Sequence, residues 1–311
     1  MSKEKPPPIL YHYTSQEGLL GIIRNKEIWA TKISYLNDTI EYKYAINLTS
    51  EIIKDRQKTY SEEPPPFFSD KKENTSSATV RGIPLTVPSG PERYGEEWIE
   101  YNMLDDFCEL IPRFEEYHVF VFSLSENGNL LSQWRGYCPH GGYSIGFNTS
   151  TFSKLMKKKG LIFVKCIYKR DDQVALINNI IDNYLKDIRS KSGELSDSVE
   201  MRMELISEYL AKVLTVAPKL KSESFKEESE WRIVTVPLKE TNFIKFREGK
   251  STIIPYIRIN IDDNGNMPIE EVIISPSSHK LLSNNAVKLL LSTEEIESCR
   301  VNVSGISYQS P

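Results

Sequence analysis

The sequence predicts one α+β domain with a mixed, mainly antiparallel central sheet flanked by helices. Strand-like and helix-like segments alternate irregularly, without the regular βαβ repeat of a doubly wound sheet. The last third of the chain returns to short strands. Of the 311 residues, 39% are hydrophobic, which is enough apolar mass for a core. We therefore expect residues 1–311 to form a single domain.

Short strands alternate with capped helices in the first part of the chain. Ser15 is a favoured N-cap residue, and the leucines and isoleucines that follow it form one apolar stripe. Asn37 and Asp38 are turn and cap residues before a second amphipathic helix. The predicted elements are a strand at Ile9–Tyr13, a helix from Ser15 to Asn25, a strand at Glu27–Thr31 and a helix from Ile40 to about Lys58.

Residues 61–95 are predicted to be an irregular insertion. The stretch from Ser61 to Pro91 contains the triplet Pro64–Pro66, three further prolines and a patch rich in serine and threonine. Proline fixes φ and removes a backbone donor, so such a stretch favours loop over helix or strand. A solvated loop is therefore the expected structure.

The remaining elements follow from patterning and turn residues. Tyr117–Leu124 is apolar on both faces, which is typical of a strand in the centre of a sheet. Gly141 and Gly142 predict a turn before the next strand. A helical insertion at about residues 171–217 contains two helices separated by a break with serine and glycine. Further predicted helices are Glu96–Phe114, Leu130–Tyr137, Asp171–Arg189, Leu195–Val216 and Ser278–Leu291; further strands are Tyr143–Phe147, Leu161–Tyr168, Glu230–Val236, Phe243–Phe246, Thr252–Arg258, Glu271–Ser275 and Arg300–Val303.

Charge and composition exclude several classes of protein. The formal net charge is −4, so the whole molecule has no attraction to nucleic acid or to an anionic membrane. No stretch reaches the ~18–20 apolar residues of a membrane span, and the N-terminal MSKEKPPPIL is charged and rich in proline. Four cysteines and four histidines lie far apart without a metal-ligand pattern. We expect a cytoplasmic protein with reduced thiols, no metal and no membrane contact.

The first candidate segment is Tyr11–Ser15. On a strand, His12 and Thr14 share one face while Tyr11 and Tyr13 share the other. A histidine and a threonine at a strand end, just before a helix, can present hydrogen-bonding groups to a ribose or a phosphate. The alternative is a histidine that ties the strand to a neighbouring backbone carbonyl.

The second candidate segment is Asn37–Glu41. Asn37 or Asp38 caps a helix, and Glu41 stands close to the position of a capping-box glutamate. This structural role is sufficient to explain the residues. A functional alternative is that the acidic helix start, flanked by aromatic residues, binds a sugar hydroxyl.

The third candidate segment, Ser132–Phe147, combines aromatic rings, an arginine and a glycine turn. In a helix over Leu130–Tyr137, Trp134 is expected in the core while Gln133, Arg135 or Tyr137 reaches outward. The Gly-Gly turn allows the backbone to approach a ligand. Such groups together can hold a planar base and a pyrophosphate.

The fourth candidate segment is Lys226–Arg232. In a strand that starts near Glu228, the side chains of Glu228, Glu230 and Arg232 share one face, and Trp231 turns to the core. The charged face is either a structural ion-pair ladder or a catalytic carboxylate that is oriented by its arginine. Both interpretations stay open at this stage.

The spacing of these motifs resembles a large bacterial family that is catalogued as a domain of unknown function. The motifs are Asn-Asp-x-x-Glu at 37–41, Trp-x-x-Tyr-x-x-His-x-Gly at 134–142 and Glu-Trp-Arg at 230–232. The stretch Glu270–Pro276 is similar to the family's late strand, with Ser275 where a glycine is usual. The resemblance runs from about Leu10 to Ser292, apart from the proline-rich insertion.

A second resemblance suggests a reaction. Tyr-His-x-Thr on a strand, followed by a helix with Gly-Leu-x-x-Ile, looks like the start of ADP-ribosyltransferases of the DarT-like and related toxin type. Those proteins have a histidine or arginine on the first strand, a hydroxyl or aromatic residue on a middle strand and a glutamate on a late strand. His12, Tyr143 or Ser144, and Glu230 occur in this order here, with Glu228 as an alternative glutamate. The resemblance also implies a split sheet.

The resemblance implies an enzyme that consumes NAD⁺ as a substrate and needs no cofactor. Glu230 would support the positive charge that develops on the ribose when the nicotinamide bond breaks. His12 would hold the adenosine-side ribose, Tyr143 would stack on nicotinamide, and Arg135 or Arg232 would meet the pyrophosphate. The other residues expected to bind the nucleotide are Thr14, Gln133 and Tyr137.

ADP-ribosyl transfer or NAD glycohydrolysis, in a toxin or phage-defence effector, is therefore the leading hypothesis. The acceptor would be a protein, a nucleic acid or water. The first alternative is a non-enzymatic module that binds a nucleotide or another protein. The second is an enzyme that processes nucleic acid, although the sequence shows neither a clustered set of metal-binding carboxylates nor a basic face.

Overall fold

The computed structural model describes residues 5–36, 39–60, 75–80, 83–88, 96–111, 117–249, 251–277, 279–296 and 298–307. The chain divides into two compact units. Unit 1 consists of the described residues of Met1–Thr39, His118–Tyr168 and Lys221–Pro311. Unit 2 consists of those of Ile40–Tyr117 and Lys169–Leu220, which include the helical insertion predicted at about 171–217.

Twelve strands and nine α-helices lie in the described part of the chain. The strands are β1 Ile9–Thr14, β2 Glu27–Lys32, β3 Thr75–Val80, β4 Ile83–Pro88, β5 Phe120–Ser125, β6 Tyr143–Asn148, β7 Ile162–Lys165, β8 Glu230–Val234, β9 Lys245–Glu248, β10 Ile253–Asn260, β11 Ile269–Ile274 and β12 Arg300–Val303. The helices are α1 Gln16–Asn25, α2 Thr39–Gln57, α3 Glu96–Leu110, α4 Leu131–Tyr137, α5 Thr149–Lys158, α6 Arg170–Ser190, α7 Ser192–Asp197, α8 Val199–Val216 and α9 Lys280–Thr293.

Unit 1 contains an open sheet of ten strands. Its main path runs β12-β11-β6-β1-β5-β2-β10-β9, and β8 joins β5 to β7. Every pairing is antiparallel except that of β11 with β12. The predicted α+β class with a mixed, mainly antiparallel sheet is confirmed.

The sheet divides at one edge of β5. At the start of β5, Val121 pairs with Thr31 of β2; at its end, Ser125 pairs with Tyr11 of β1. We call the gap between β1 and β2 along this edge the fork. The opposite edge of β5 is continuously paired with β8, from Val121 to Ser125. Backbone groups between the two short pairings therefore face the fork rather than a strand.

The main core of unit 1 lies on one face of this sheet, which we call the core face. Apolar residues that alternate along the strands meet buried residues from α1, α5 and α9. Ser15 caps α1 as predicted, because its hydroxyl accepts a hydrogen bond from the Gly18 amide at 3.2 Å. On the opposite face, α4 brings Trp134 against Tyr13, with ring centroids 4.7 Å apart. This opposite face carries the candidate site.

Unit 2 is mainly helical. Three rings from α3, α6 and α8 form part of its interior: Tyr184 lies 5.1 Å from Phe107 and 5.0 Å from Tyr209, measured between ring centroids. The Tyr184 hydroxyl donates a hydrogen bond to the Met103 carbonyl at 3.0 Å. Buried Glu100 accepts a hydrogen bond from the Tyr60 hydroxyl at 2.7 Å. These buried polar groups are therefore paired.

Three differences from the predicted elements stand out. Within the stretch predicted to be irregular, β3 and β4 form an antiparallel pair from Thr75–Pro88 to Val80–Ile83, which β-branched residues favour. Helix α5 was not predicted, although Asn148 caps it. The predicted helix Leu195–Val216 is divided at Ser198, which caps α8. No helix in the described residues is both long enough and apolar enough to cross a membrane.

Candidate functional site

A solvent-open cleft lies where β1, β5, α4 and the start of β8 meet. It encloses about 340 Å³, including some open solvent. Its lining residues are Tyr11, His12, Tyr13, Ser123, Leu124, Ser125, Gln133, Tyr137, Glu228 and Glu230.

The strand register explains which side chains meet there. Tyr11 pairs with Ser125, and Ser125 pairs with Glu230 on its other side. Directly paired residues project to the same face of a sheet, so these three side chains share the face opposite the core. Ser123 and Arg232 are paired two residues further on and share that face as well.

The acidic centre of the site is a buried ion cluster. Arg232 donates to both carboxylate oxygens of Glu230, from Nε to Oε1 at 2.7 Å and from Nη2 to Oε2 at 2.9 Å. Lys221 Nζ donates to the same Oε2 at 2.6 Å and also pairs with Glu228. Glu230, Arg232 and Lys221 are each at most 4% exposed. The pairing compensates for the desolvation of these charges.

Glu230 is held in its ionised form. Burial by itself raises the pKa of this carboxyl, but the charges of Arg232 and Lys221 and their hydrogen bonds outweigh burial and lower the pKa to about 2. At neutral pH the group is therefore an anion. A carboxylate with so low a pKa is a weak base, and its useful property is a fixed negative charge.

A strained turn places Glu228 and Glu230 on the same lysine. Glu228 ends a 3₁₀ helix that begins at Glu223, and Ser229 adopts the left-handed conformation with φ of 42° before β8 begins. β8 begins at Glu230, where the strand Glu230–Val236 was predicted to begin, so the alternative start near Glu228 is wrong and Glu228 is not part of the strand. The Ser125 hydroxyl fixes this turn by donating to the Glu228 carbonyl at 2.8 Å. Non-glycine residues adopt such a φ only where the surroundings hold them.

Tyr11 is locked in place beside the acidic cluster. Its hydroxyl donates to Glu271 Oε1 at 2.6 Å. A Cβ added at Gly128 would lie 2.4 Å from the Tyr11 ring, and one at Gly146 would lie 3.1 Å from it. Both glycines therefore allow the ring to lie close to the backbone. Tyr13 is fixed as well, because its hydroxyl donates to the Asn127 carbonyl and accepts from the Leu130 amide, both at 2.8 Å.

Helix α4 supplies the wall of the cleft that faces these rings. Trp134 is 1% exposed, as expected for an anchor in the interior. Gln133 and Tyr137 stand one helical turn apart and both line the cleft; Gln133 is 6% exposed and Tyr137 is 42% exposed. The cleft thus combines three tyrosines with a carboxamide and two carboxylates.

His12 reaches the cleft from the fork. Alternation directs its side chain to the core face, where it stacks on Phe122 with ring centroids 4.2 Å apart. Its Nδ1 lies 2.9 Å from the Ser123 carbonyl, which must accept, so Nδ1 carries the proton. Burial lowers the pKa of His12 to about 4, the Ser123 bond opposes this change and the charge of Arg247 adds to it. The imidazole is neutral at neutral pH, and it ties the strand to a neighbouring carbonyl, as the structural interpretation expects.

Four predicted site residues lie outside the cleft lining: Thr14, Tyr143, Arg135 and Arg232. Thr14 and Tyr143 are paired and share the core face, where Tyr143 packs against the main core. The Thr14 hydroxyl lies instead over Gly18, at 1.9 Å from where a Cβ would stand. Arg135 is exposed on α4. Strand pairing and side-chain alternation place Tyr143 and Glu230 on opposite faces of the sheet. The sequence shows the alternation but not which strands pair, so it could not predict this separation.

Of the second candidate segment, Asn37 and Asp38 lie outside the described residues. Glu41 belongs to α2, and its side chain also lies outside the described part. Of the predicted residues, the cleft lining therefore includes Gln133, Tyr137 and Glu230, and also His12, although alternation directs the His12 side chain to the core face. Arg232 stands behind the cleft, where it holds Glu230.

Sequence reasoning missed several residues of the site. Lys221 precedes Glu230 by nine residues in a segment without periodic pattern, and no signal identified it. Tyr11 and Tyr13 were assigned to the face opposite His12 but received no role. Ser123 and Ser125 could have been noticed, because they are alternate polar residues at the end of an otherwise apolar strand.

With this geometry established, comparisons with known proteins give one relationship. Residues 133–233 match a protein-family model. Its description is protein of unknown function, DUF2971. The match begins at Gln133 and includes Tyr137, Glu228, Glu230 and Arg232, but it is shorter than the predicted range of Leu10 to Ser292. No curated protein and no solved structure matches the chain.

Proposed function

We propose that the cleft binds NAD⁺ and that the protein cleaves its nicotinamide–ribose bond, as an ADP-ribosyltransferase or a glycohydrolase. The observation that carries the proposal is Glu230, an ionised carboxylate 4% exposed, in the wall of a cleft lined by tyrosines. Because Glu230 is buried, its negative charge is screened little by solvent and is worth more to a developing cation than the same charge in bulk water.

The reaction breaks the bond between the ribose anomeric carbon and the pyridinium nitrogen. The bonding electron pair leaves with nicotinamide, which becomes neutral, and positive charge develops on the ribose ring. Glu230 accepts a hydrogen bond from the ribose 2′-hydroxyl and stabilises that charge. The new bond to the anomeric carbon comes from water, or from a nucleophile of a protein or nucleic acid, which releases its proton to solvent.

The aromatic wall supports this assignment. Tyr143, to which the resemblance gives the stacking role, packs against the core on the other face. Tyr11, Tyr13 and Tyr137 line the cleft, and rings of this kind bind planar groups through their faces. Arg232 does not meet the pyrophosphate in this proposal. It holds Glu230 ionised and oriented.

The test is release of nicotinamide from NAD⁺, measured by chromatography with and without protein, RNA and DNA acceptors. Glu230→Gln should reduce the rate by about 100-fold or more, because it removes the charge that supports the cation. Glu227→Gln is the matched control, since Glu227 is exposed, lies in the same segment and does not line the cleft. Glu228→Gln decides between the two glutamates. Full turnover by a folded Glu230→Gln variant, or no release by the wild type with any acceptor, contradicts the proposal.

A second candidate function is non-enzymatic nucleotide binding. The observation in its favour is that both oxygens of Glu230 already accept hydrogen bonds from Arg232 and Lys221. A carboxylate so occupied can serve recognition without taking part in a reaction. Thermal-shift measurements over a set of nucleotides, with nicotinamide release followed in parallel, separate the two. Stabilisation by a nucleotide without turnover favours the binding module.

A further inference from the structure

Gln133 stands out among the polar side chains around the cleft. It is 6% exposed and lines the cleft, and its carboxamide has no hydrogen-bond partner among the residues that the structure describes. The polar groups of the neighbouring Trp134 and Tyr13 side chains, in contrast, are hydrogen-bonded within the protein. The Trp134 indole donates to Asn129 Oδ1 at 2.9 Å, and the Tyr13 hydroxyl makes two hydrogen bonds. The nitrogen and oxygen of this carboxamide are not among the fully buried unpaired side-chain atoms of the described residues, so they meet the solvent of the cleft and are available to a ligand.

Another buried glutamine in the same chain shows the usual solution. Gln173 is 1% exposed, and its Oε1 accepts a hydrogen bond from the Tyr44 hydroxyl at 2.7 Å. Gln133 has a similar degree of burial but directs its carboxamide towards the cleft. The group that completes its hydrogen bonding is therefore expected to come from outside the polypeptide.

The chemistry of a carboxamide defines that group. It presents one acceptor oxygen and two donor hydrogens side by side in a plane. Its complement is a planar edge with an adjacent acceptor and donor, as in another carboxamide or in the N6 and N7 positions of adenine. The tyrosine rings that line the same cleft favour a planar heteroaromatic ligand.

We propose that Gln133 is the specificity-determining residue of the cleft and binds the donor–acceptor edge of a heteroaromatic ring. The inference rests on the proposed function only for the choice of NAD⁺ as the ligand, since the two sources of such an edge in NAD⁺ are the nicotinamide carboxamide and adenine. The edge that pairs with Gln133 sets the orientation of the dinucleotide relative to Glu230.

The first measurement needs no ligand. Gln133→Met keeps the size of the side chain and removes an amide that only solvent meets in the free protein, so it should leave the melting temperature within about 2 °C of the wild type. Gln173→Met is the matched control, and it should lower the melting temperature because it leaves the Tyr44 hydroxyl without its acceptor. A Gln133→Met variant that melts well below the wild type shows that the amide is paired in the free protein, and this overturns the inference.

The second measurement is calorimetric binding of NAD⁺, its nicotinic acid analogue, nicotinamide mononucleotide and ADP-ribose, with Gln133→Met and wild-type protein. The variant should bind the ligand that carries the recognised edge roughly 10-fold more weakly. Weaker binding of NAD⁺ and the mononucleotide, with rejection of the nicotinic acid analogue by the wild type, assigns the carboxamide. Weaker binding of ADP-ribose assigns adenine.

The two proposals fail in different ways. Equal affinities of the wild type and Gln133→Met for all four compounds, or no binding of any of them to the wild type, overturn the assignment of Gln133. If Gln133→Met binds one of the compounds more weakly than the wild type does, and the wild type releases no nicotinamide, the assignment of Gln133 is supported and the proposed reaction is contradicted. Release of nicotinamide at the same rate and the same Michaelis constant by Gln133→Met supports the reaction and overturns the assignment.

Discussion

Arg232 holds both carboxylate oxygens of Glu230, two residues earlier on the same strand, at 2.7 and 2.9 Å. Residues two apart on a strand project to the same face, so β8 itself brings the guanidinium to the carboxylate. The pair is buried, and Lys221 adds a second cation to the same carboxylate. The stability of unit 1 and the charge state of the cleft therefore depend on the same contacts.

Replacement of Arg232 by methionine should lower the free energy of unfolding by about 3–5 kcal/mol, because it leaves a buried carboxylate with one cation instead of two. Urea denaturation followed by circular dichroism measures this change. Lys58→Met is the control, since Lys58 and its partner Asp55 have side chains 76% and 73% exposed. That variant should change the free energy by less than about 1 kcal/mol. If Arg232→Met lowers the free energy of unfolding by as little as the control does, the buried pair does not stabilise the fold.

His12 should titrate well below an ordinary histidine. Its pKa in the folded protein is about 4, against 6.5 for the free side chain. As the pH falls, the unfolded chain therefore takes up a proton first, and the stability associated with neutral His12 is lost between about pH 6.5 and pH 4. Above pH 6.5 this group should make no difference to stability.

NMR of the imidazole nitrogens checks this prediction. His12→Asn identifies the resonance, and the wild-type ring should stay neutral with its proton on Nδ1 down to about pH 5. The unfolding free energy of His12→Asn should also vary less between pH 6.5 and pH 4 than that of the wild type. A midpoint for His12 close to 6.5 would mean that the ring is exposed to solvent rather than enclosed in the fork.

Gly128→Ala should displace the Tyr11 ring from the wall of the cleft. The added Cβ would lie 2.4 to 2.8 Å from three atoms of that ring, so the ring or the backbone has to shift. We expect a loss of about 1–3 kcal/mol in the free energy of unfolding and weaker binding of nucleotides. Denaturation and calorimetry measure the two effects.

The control for Gly128→Ala is Gly136→Ala. Gly136 lies in α4, and a Cβ added there meets nothing within 4 Å. Alanine at a helical position should raise the free energy of unfolding by about 0.5–1 kcal/mol. If the two substitutions change the free energy of unfolding equally, the close approach of Tyr11 to the backbone does not require a glycine at position 128.

Local patterns in the sequence determined most of the secondary structure. The capping of α1 by Ser15, the strand pattern of Glu27–Thr31 and the final strand Arg300–Val303 depend on neighbouring residues alone, and each lies where the pattern predicts it. The alternation of side chains on β1 was also predictable, because it follows from the period of a strand. The strand β8 and its Glu-Trp-Arg stretch were predicted in the same way.

Tertiary structure alone decided how those faces combine. Pairing of β5 with both β1 and β8 brings Tyr11 and Glu230 to one side and Tyr143 to the other, and strand pairing across more than 100 residues has no local signal. Lys221 contacts Glu230 because the chain turns at Ser229, and the residue types in this segment do not predict that turn. That the carboxamide of Gln133 meets the cleft without a hydrogen-bond partner among the described residues is likewise a property of the assembled cleft, because exposure and pairing depend on what surrounds a side chain.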